Sequence, residues 1–256
     1  MGKTIAIVNQ KGGVGKTTSA VNLVASLGFK GYKTLIIDID PQGNATSGFG
    51  VNKRDLKHSS YDILVNGIKA NDAIIKTKFR NVTIIPSSMN LAGAELEMIT
   101  LQNRESILKN AIALIKEDFD FIFLDCPPSL GLITLNALCA ADTIFVPIQC
   151  EYYALEGLSQ LMSTVRQVKR LFNPMIDIEG VLLTMYDGRL NLTQQVVNEV
   201  KKFFPKKVYS TYIPRNVRLS EAPSFGEPVL YYDRLSKGST AYLELAEELL
   251  KNNKLN

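Results

Sequence analysis

One histidine, no tryptophan and three cysteines occur in the 256 residues of the chain. With His58 alone, a histidine-based catalytic triad and a multi-histidine metal site are excluded. Cys126, Cys139 and Cys150 share neither a metal-binding nor a disulfide spacing. Each stands in an apolar stretch, where a thiol packs as a small hydrophobe in a reducing compartment. No apolar run approaches the roughly 20 residues needed to cross a bilayer. Repeats, low-complexity tracts and long linkers are missing as well. The net charge of +4 is too small to demand a polyanionic partner, although it leaves room for a basic patch. The first apolar run begins almost at the N-terminus, which leaves no space for a signal peptide and predicts a cytoplasmic protein.

What is present is a regular alternation. Hydrophobic residues make up 46% and charged residues 21%, as in a globular protein with a sizeable core. Apolar, β-branched runs predict strands at 4–9, 34–38, 82–86, 121–125, 143–148, 178–184 and 208–209. Helical periodicity predicts helices at 17–27, 104–117, 132–139, 155–172, 192–204 and 240–251. Strands without polar alternation are buried on both faces, so the pattern calls for a doubly wound, mostly parallel α/β sheet in one domain spanning 1–256. Leu155, Leu158, Leu161, Met162, Val165 and Val168 form a stripe that reads as core packing. The stretch 41–81 is irregular and carries Gly43, Gly48, Gly50 and Gly67. A long insertion after a strand end is often functional.

Between the first strand and the first helix lies Lys11-Gly12-Gly13-Val14-Gly15-Lys16-Thr17-Thr18. A glycine-rich loop in that setting cradles phosphate: its N–H groups converge on an anion, and the helix N-terminus adds partial positive charge. Lys16 can reach the β- and γ-phosphates, and the Thr17 hydroxyl can ligate Mg²⁺. The ligand implied is a nucleoside triphosphate, ATP first. The loop departs from the usual G-x-x-x-x-G-K-[ST] form, because Gln10 replaces the first glycine and Lys11 follows it. Lys11 either points away from its own phosphates and reaches a partner's nucleotide, as an arginine finger does, or is a solvated surface lysine. Spacing leaves both open.

Acidic residues end two strands. Asp125 closes Phe121-Ile122-Phe123-Leu124 and is followed by the rigid turn Cys126-Pro127-Pro128-Ser129. An acid there can hold Mg²⁺ directly or through water. Asp38 and Asp40 end another strand, with Asp38 near the metal shell and Asp40 the candidate for positioning the attacking water. A single strand-end aspartate is usually a solvated terminus or a helix cap, but two such ends beside a phosphate loop favour catalysis.

Together with the loop, four segments carry a resemblance over nearly the whole chain: Asp38-Ile-Asp-Pro-Gln-Gly-Asn-Ala-Thr-Ser47, Asp125-Cys-Pro-Pro-Ser-Leu-Gly131, Gln149-Cys-Glu-Tyr-Tyr-Ala-Leu-Glu-Gly157 and Ile213-Pro-Arg-Asn-Val-Arg-Leu-Ser-Glu-Ala-Pro223. The chain resembles the ParA family of chromosome-partitioning ATPases with a deviant Walker A loop, of the small Soj type. The resemblance implies a Mg²⁺-dependent ATPase that forms an ATP-sandwich homodimer, with Lys11 acting across the interface. It implies non-specific binding to double-stranded DNA, hence nucleoid association, and a ParB-type partner that stimulates hydrolysis. The replication initiator is a further partner that it allows. It places Pro214 and Asn216 at the adenine, and Arg189 and Arg218 at DNA. Basic residues are frequent in the last third of the chain, but an ordinary solvated surface accounts for any one of them, so charge alone does not establish a DNA face.

Two other readings share the loop. A membrane-associated cell-division ATPase of the MinD type needs a C-terminal amphipathic helix rich in basic and bulky apolar residues, whereas this sequence ends in the short, polar Leu249-Leu250-Lys251-Asn252-Asn253-Lys254-Leu255-Asn256. The nitrogenase iron protein needs cysteines for a bridging cluster, and no second cysteine here matches Cys126. The N-terminal helix-turn-helix of larger plasmid relatives is not seen, so operator-specific repression is not expected.

Overall fold

The computed structural model describes residues 2–151 and 154–255, with the side chains of 154–157 excepted. Tyr152 and Tyr153 of the 149–157 segment, and the side chain of Leu155 in the predicted stripe, lie outside the described residues. The strands are β1 (Lys3–Ile7), β2 (Thr34–Asp38), β3 (Ile75–Lys76), β4 (Val82–Ile85), β5 (Phe121–Asp125), β6 (Thr143–Gln149) and β7 (Asp177–Thr184). They form one seven-stranded sheet in the order β3-β4-β2-β5-β1-β6-β7. Every pairing is parallel except that of β3 with β4. The doubly wound, mostly parallel sheet expected from the strand pattern is therefore the fold.

The helices are α1 (Lys16–Phe29), α2 (Asn44–Gly48), α3 (Ser60–Leu64), α4 (Leu91–Met98), α5 (Ile107–Ala113), α6 (Leu132–Ala140), α7 (Ala154–Leu171), α8 (Asn191–Phe203), α9 (Val217–Glu221), α10 (Val229–Tyr232) and α11 (Lys237–Asn252). One apolar cluster joins α1, α10 and α11 to one face of the sheet. The other joins α3 to α8 to the opposite face. The central strands β2 and β5 are buried at every position, which is why they read as apolar runs without polar alternation up to their terminal aspartates. Leu158, Leu161, Val165 and Val168 of the stripe are buried in the second cluster, as packing requires. The three cysteines are free and buried. Among the described residues, no helix is long and apolar enough to cross a membrane.

Two expected elements differ. The helix expected at 104–117 is Ile107–Ala113, followed by a 3₁₀ turn at Lys116–Asp118. Asn136 of α6 intercepts the missing turn: its Nδ2 donates to the Arg104 carbonyl (2.7 Å) and its Oδ1 accepts from the Leu108 amide (3.1 Å). Those are the two groups a helical bond from 108 to 104 would have joined. The strand expected at 208–209 is a single parallel bridge between Val208 and Val181 of β7. The next two amides, Ser210 and Thr211, donate to the Glu248 carboxylate of α11 at 2.7 and 2.9 Å, so the ladder stops.

Tyr209 lies directly over Gly180 of β7, where a Cβ would stand 2.3 Å from its ring. Gly180→Ala is therefore expected to destabilise the fold by about 1–3 kcal/mol through overpacking. A urea denaturation midpoint checks this, and an unchanged midpoint would show that the ring swings clear.

The irregular stretch 41–81 contains α2, α3, a 3₁₀ turn at Ala70–Ala73 and the edge strand β3. The start of α3 carries a readable signal, a capping box in which the Ser59 amide donates to Asp62 Oδ2 at 2.8 Å.

Candidate nucleotide-binding site

The loop after β1 is anchored at both ends. Asn9 donates through Nδ2 to the Pro147 carbonyl of β6 (2.7 Å) and accepts from the Lys11 amide through Oδ1 (3.0 Å). Thr184, at the end of β7, donates its hydroxyl to the Val14 carbonyl (2.8 Å). Gly13 and Gly15 hold φ of 74° and 86°, the left-handed region that glycine enters without strain. Gly15 caps α1 with no side-chain hydrogen bond, and no acidic residue occupies the first turn. The leading N–H groups of α1, from Lys16 through Thr18, are thus available to an anion, while Gly12 and Gly13 stand exposed above them.

Strand register brings the acids together. Asp38 at the end of β2 pairs directly with Asp125 at the end of β5, and Ile7 of β1 flanks Asp125 on its other side. Both carboxylates are fully buried and Asp40 is 8% exposed. Asp38 is well satisfied: Oδ2 accepts from the Thr46 amide (2.8 Å) and hydroxyl (2.7 Å), and Oδ1 accepts from the Asp40 amide (3.2 Å). Burial nonetheless pushes its carboxyl up to about 6. Neither oxygen of Asp125 has a hydrogen-bond partner. Burial first, then the Asp38 charge, pushes Asp125 well above the ordinary carboxylate range. The Thr17 hydroxyl pulls it back but stands outside hydrogen-bonding geometry.

Lys16 is buried, and its Nζ donates to the Lys11 carbonyl at 3.0 Å. Burial lowers its ammonium pKa, with Asp125 the main opposing charge. An unpartnered buried carboxylate beside a threonine hydroxyl is a hard, all-oxygen donor set. No group of three or more His, Cys, Asp or Glu forms a closed metal cage among the described residues. An all-oxygen donor set suits Mg²⁺, which takes one or two protein oxygens and completes its shell with water and phosphate. Burial holds the adjacent Cys126 thiol neutral, its pKa well raised.

Beside the loop opens a cavity of about 370 Å³, lined by Gly15, Thr18, Met185, Pro214, Asn216 and Tyr242 among others. Pro214 is held there by its bridge to Tyr186, beyond the end of β7. Asn216 spends Oδ1 on capping α9, accepting from the Arg218 amide at 2.8 Å. Met185 and Tyr242 carry no motif in the sequence; they reach the cavity from the end of β7 and from α11. The one local oddity is Met185 at φ 50°, a backbone feature invisible in the sequence.

Lys11 turns its ammonium to Glu151, 3.0 Å away, where both side chains are partly exposed. Arg189, exposed in the loop before α8, is bidentate to Asp187 at 2.9 and 2.6 Å. Arg218 of α9 pairs with Glu221 (2.8 Å) and Asp233 (3.1 Å). The structure thus gathers the loop, the three acids, Pro214 and Asn216 around one crevice, and leaves the two arginines outside it, each tied to acids of its own chain.

Residues 2–178 match the family described as an AAA domain. The sporulation initiation inhibitor protein Soj of Bacillus subtilis is 56% identical over 252 residues, which are 98% of this chain and 100% of that protein. The chromosome-partitioning ATPase Soj of Treponema pallidum is 50% identical, with 98% of each chain covered. Among solved structures, cobyrinic acid a,c-diamide synthase from Mycobacterium smegmatis, with ADP and magnesium bound, superposes with a TM-score of 0.87 at 35% identity, covering 99% of this chain and 96% of that one. More than half the residues coincide end to end with Soj around a loop built for phosphate, and so the chain belongs to the ParA family of chromosome-partitioning ATPases.

Proposed function

We propose that the 256 residues act as one domain that hydrolyses ATP in a face-to-face homodimer, binds duplex DNA without sequence preference and answers to a ParB-type partner. The observation that carries this reading is Lys11, whose ammonium leaves its own phosphate loop for the partly exposed Glu151. A charge held at the rim of the loop by a weak, solvated pair is free to exchange that carboxylate for a phosphate of a neighbouring subunit.

The phosphates of ATP lie against the Gly12–Thr18 amides, and the Lys16 ammonium takes the β- and γ-oxygens. Thr17 and Asp125, with the Asp38 charge beside them, would hold Mg²⁺, which when bound would supply charge neutralisation at the phosphates. Asp40 orients the attacking water from the turn after β2. Phosphoryl transfer is limited by positioning and charge stabilisation, so no strong base is required. Pro214 and Asn216 take the adenine in the adjoining cavity, Asn216 with its amide nitrogen because its oxygen caps α9.

Arg189 and Arg218 are exposed, and exposed ion pairs contribute little, so both can trade carboxylate for DNA phosphate. Arg189→Ala and Arg218→Ala are each expected to weaken DNA binding equally for unrelated duplexes and to reduce the salt slope by about one per lost contact. Dimerisation with ATP should persist in both. Filter binding at several salt concentrations tests the surface; wild-type affinity in both variants, or strong preference for one duplex, overturns it. ATP turnover measured with and without duplex DNA and a ParB-derived peptide tests the partner. The expected result is stimulation that needs both, and indifference to both removes that part of the reading.

A further inference from the structure

The two register-paired aspartates differ in one respect that separates their roles. Asp125 offers free lone pairs, whereas Asp38 has three donors on its two oxygens. The Asp38 bonds are part of a closed ring. Thr46 donates its hydroxyl to Asp38 Oδ2 (2.7 Å), and the Thr46 Oγ1 accepts from the Ser87 amide (2.9 Å). The direction is unambiguous, because an amide can only donate and a carboxylate can only accept. The Ser87 hydroxyl donates to the Asp40 carbonyl (2.5 Å), and the Asp40 amide returns to Asp38 Oδ1 (3.2 Å). From outside the ring, Ser60 Oγ holds the Asp38 carbonyl at 2.6 Å.

Asp38, Thr46 and Ser87 are wholly buried, and they come from the end of β2, from α2 and from the segment after β4. Water cannot replace a bond lost inside such a ring, so each link is strongly felt. The ring encloses the turn that carries the Asp40 side chain. We infer that Asp38, Thr46 and Ser87 form a latch that fixes the Asp40 turn, with Thr46 and Ser87 as positioning residues and Asp38 serving the turn, leaving the metal to Asp125 and Thr17. This rests on the reading of Asp40 as the group that orients water.

The test uses the full chain and two measurements: kcat and KM for ATP, and the Mg²⁺ concentration at half-maximal binding of a fluorescent, non-hydrolysable ATP analogue. Thr46→Val keeps the shape and removes the hydroxyl. It is expected to lower kcat by roughly ten- to a hundredfold, the effect of misplacing a reacting group by about 1 Å. KM and the Mg²⁺ midpoint should remain within about twofold, since the ring spares phosphate and metal contacts. Thr46→Ser, which restores the hydroxyl, should recover most of the turnover. Ser87→Ala keeps the amide donor and loses only the bond to Asp40, so it should lower kcat in the same sense; if Thr46→Val fails to fold by circular dichroism, this variant decides. A Mg²⁺ midpoint moved about tenfold by either variant would place Asp38 in the metal shell and overturn the latch. Unchanged kcat in both would do the same. Wild-type turnover by Asp40→Ala is a separate failure, of the role given to Asp40, and is read independently of the ring.

Discussion

Lys11→Ala is expected to bind ATP, stay monomeric and lose hydrolysis by a factor on the order of 10³, the lower range for a charge supplied across an interface. The contributions of Lys11 to its own loop are made by backbone: its amide donates to Asn9 and its carbonyl accepts from Lys16. Alanine preserves both. The side chain contributes nothing to the cradle, because its ammonium is at Glu151. What is lost is a charge needed only when a second nucleotide faces the loop. Light scattering with and without ATP, beside equilibrium binding of a labelled nucleotide, separates the two effects. ATP-induced dimers of ordinary stability would refute the trans role and leave Lys11 a surface residue.

Asp40→Ala should retain both ATP binding and dimerisation, with turnover reduced roughly 10²-fold or more, the scale of a positioned proton acceptor or water-orienting group. Asp40 Oδ1 is taken by the Gln42 amide at 2.9 Å, which leaves the second oxygen for water. The turn itself survives the change, because its peptide groups are held by Asp38 and Ser87 through bonds that alanine keeps. Lys16→Ala should fail at an earlier step. It removes a buried cation from among Asp125 and Asp40, and phosphate binding weakens before chemistry is reached. Single-turnover kinetics of Asp40→Ala in preformed dimers is the decisive measurement; near-normal turnover would shift attention to Asp38 or Asp125.

Much of this molecule is legible without coordinates, and the legible part has a common character. β2 and β5 read as buried strands because every one of their side chains is in fact enclosed, so burial and apolarity coincide from Leu35 to Ile37 and from Phe121 to Leu124. The phosphate loop is legible because glycine at 13 and 15 reports a left-handed backbone directly, and the lysine and threonine that follow are covalently tied to it. Asp38 and Asp125 are legible as strand ends. Their direct pairing follows once β2 and β5 are neighbours.

What escaped the sequence depends on partners far away along the chain. Helical periodicity runs from 104 to 117, yet one asparagine in α6 takes the 104 carbonyl and the 108 amide and shortens the helix. The run at 208–209 has a strand's composition, yet Glu248 claims the amides that would extend it. Thr46 and Ser87 look like ordinary small polar residues until α2 and the end of β4 are folded against β2. Period and propensity are properties of neighbours in sequence, so amino-acid order was enough for the six parallel strands, the phosphate loop and the strand-end acids, but not for the edge strand β3 or the bridge at Val208. A hydrogen bond goes to whichever group is nearest in space. Only the tertiary structure, by bringing Asn136, Glu248, Glu151 and Ser87 within 3.1 Å of their partners, decided where elements stop, which acid is left free and where Lys11 points.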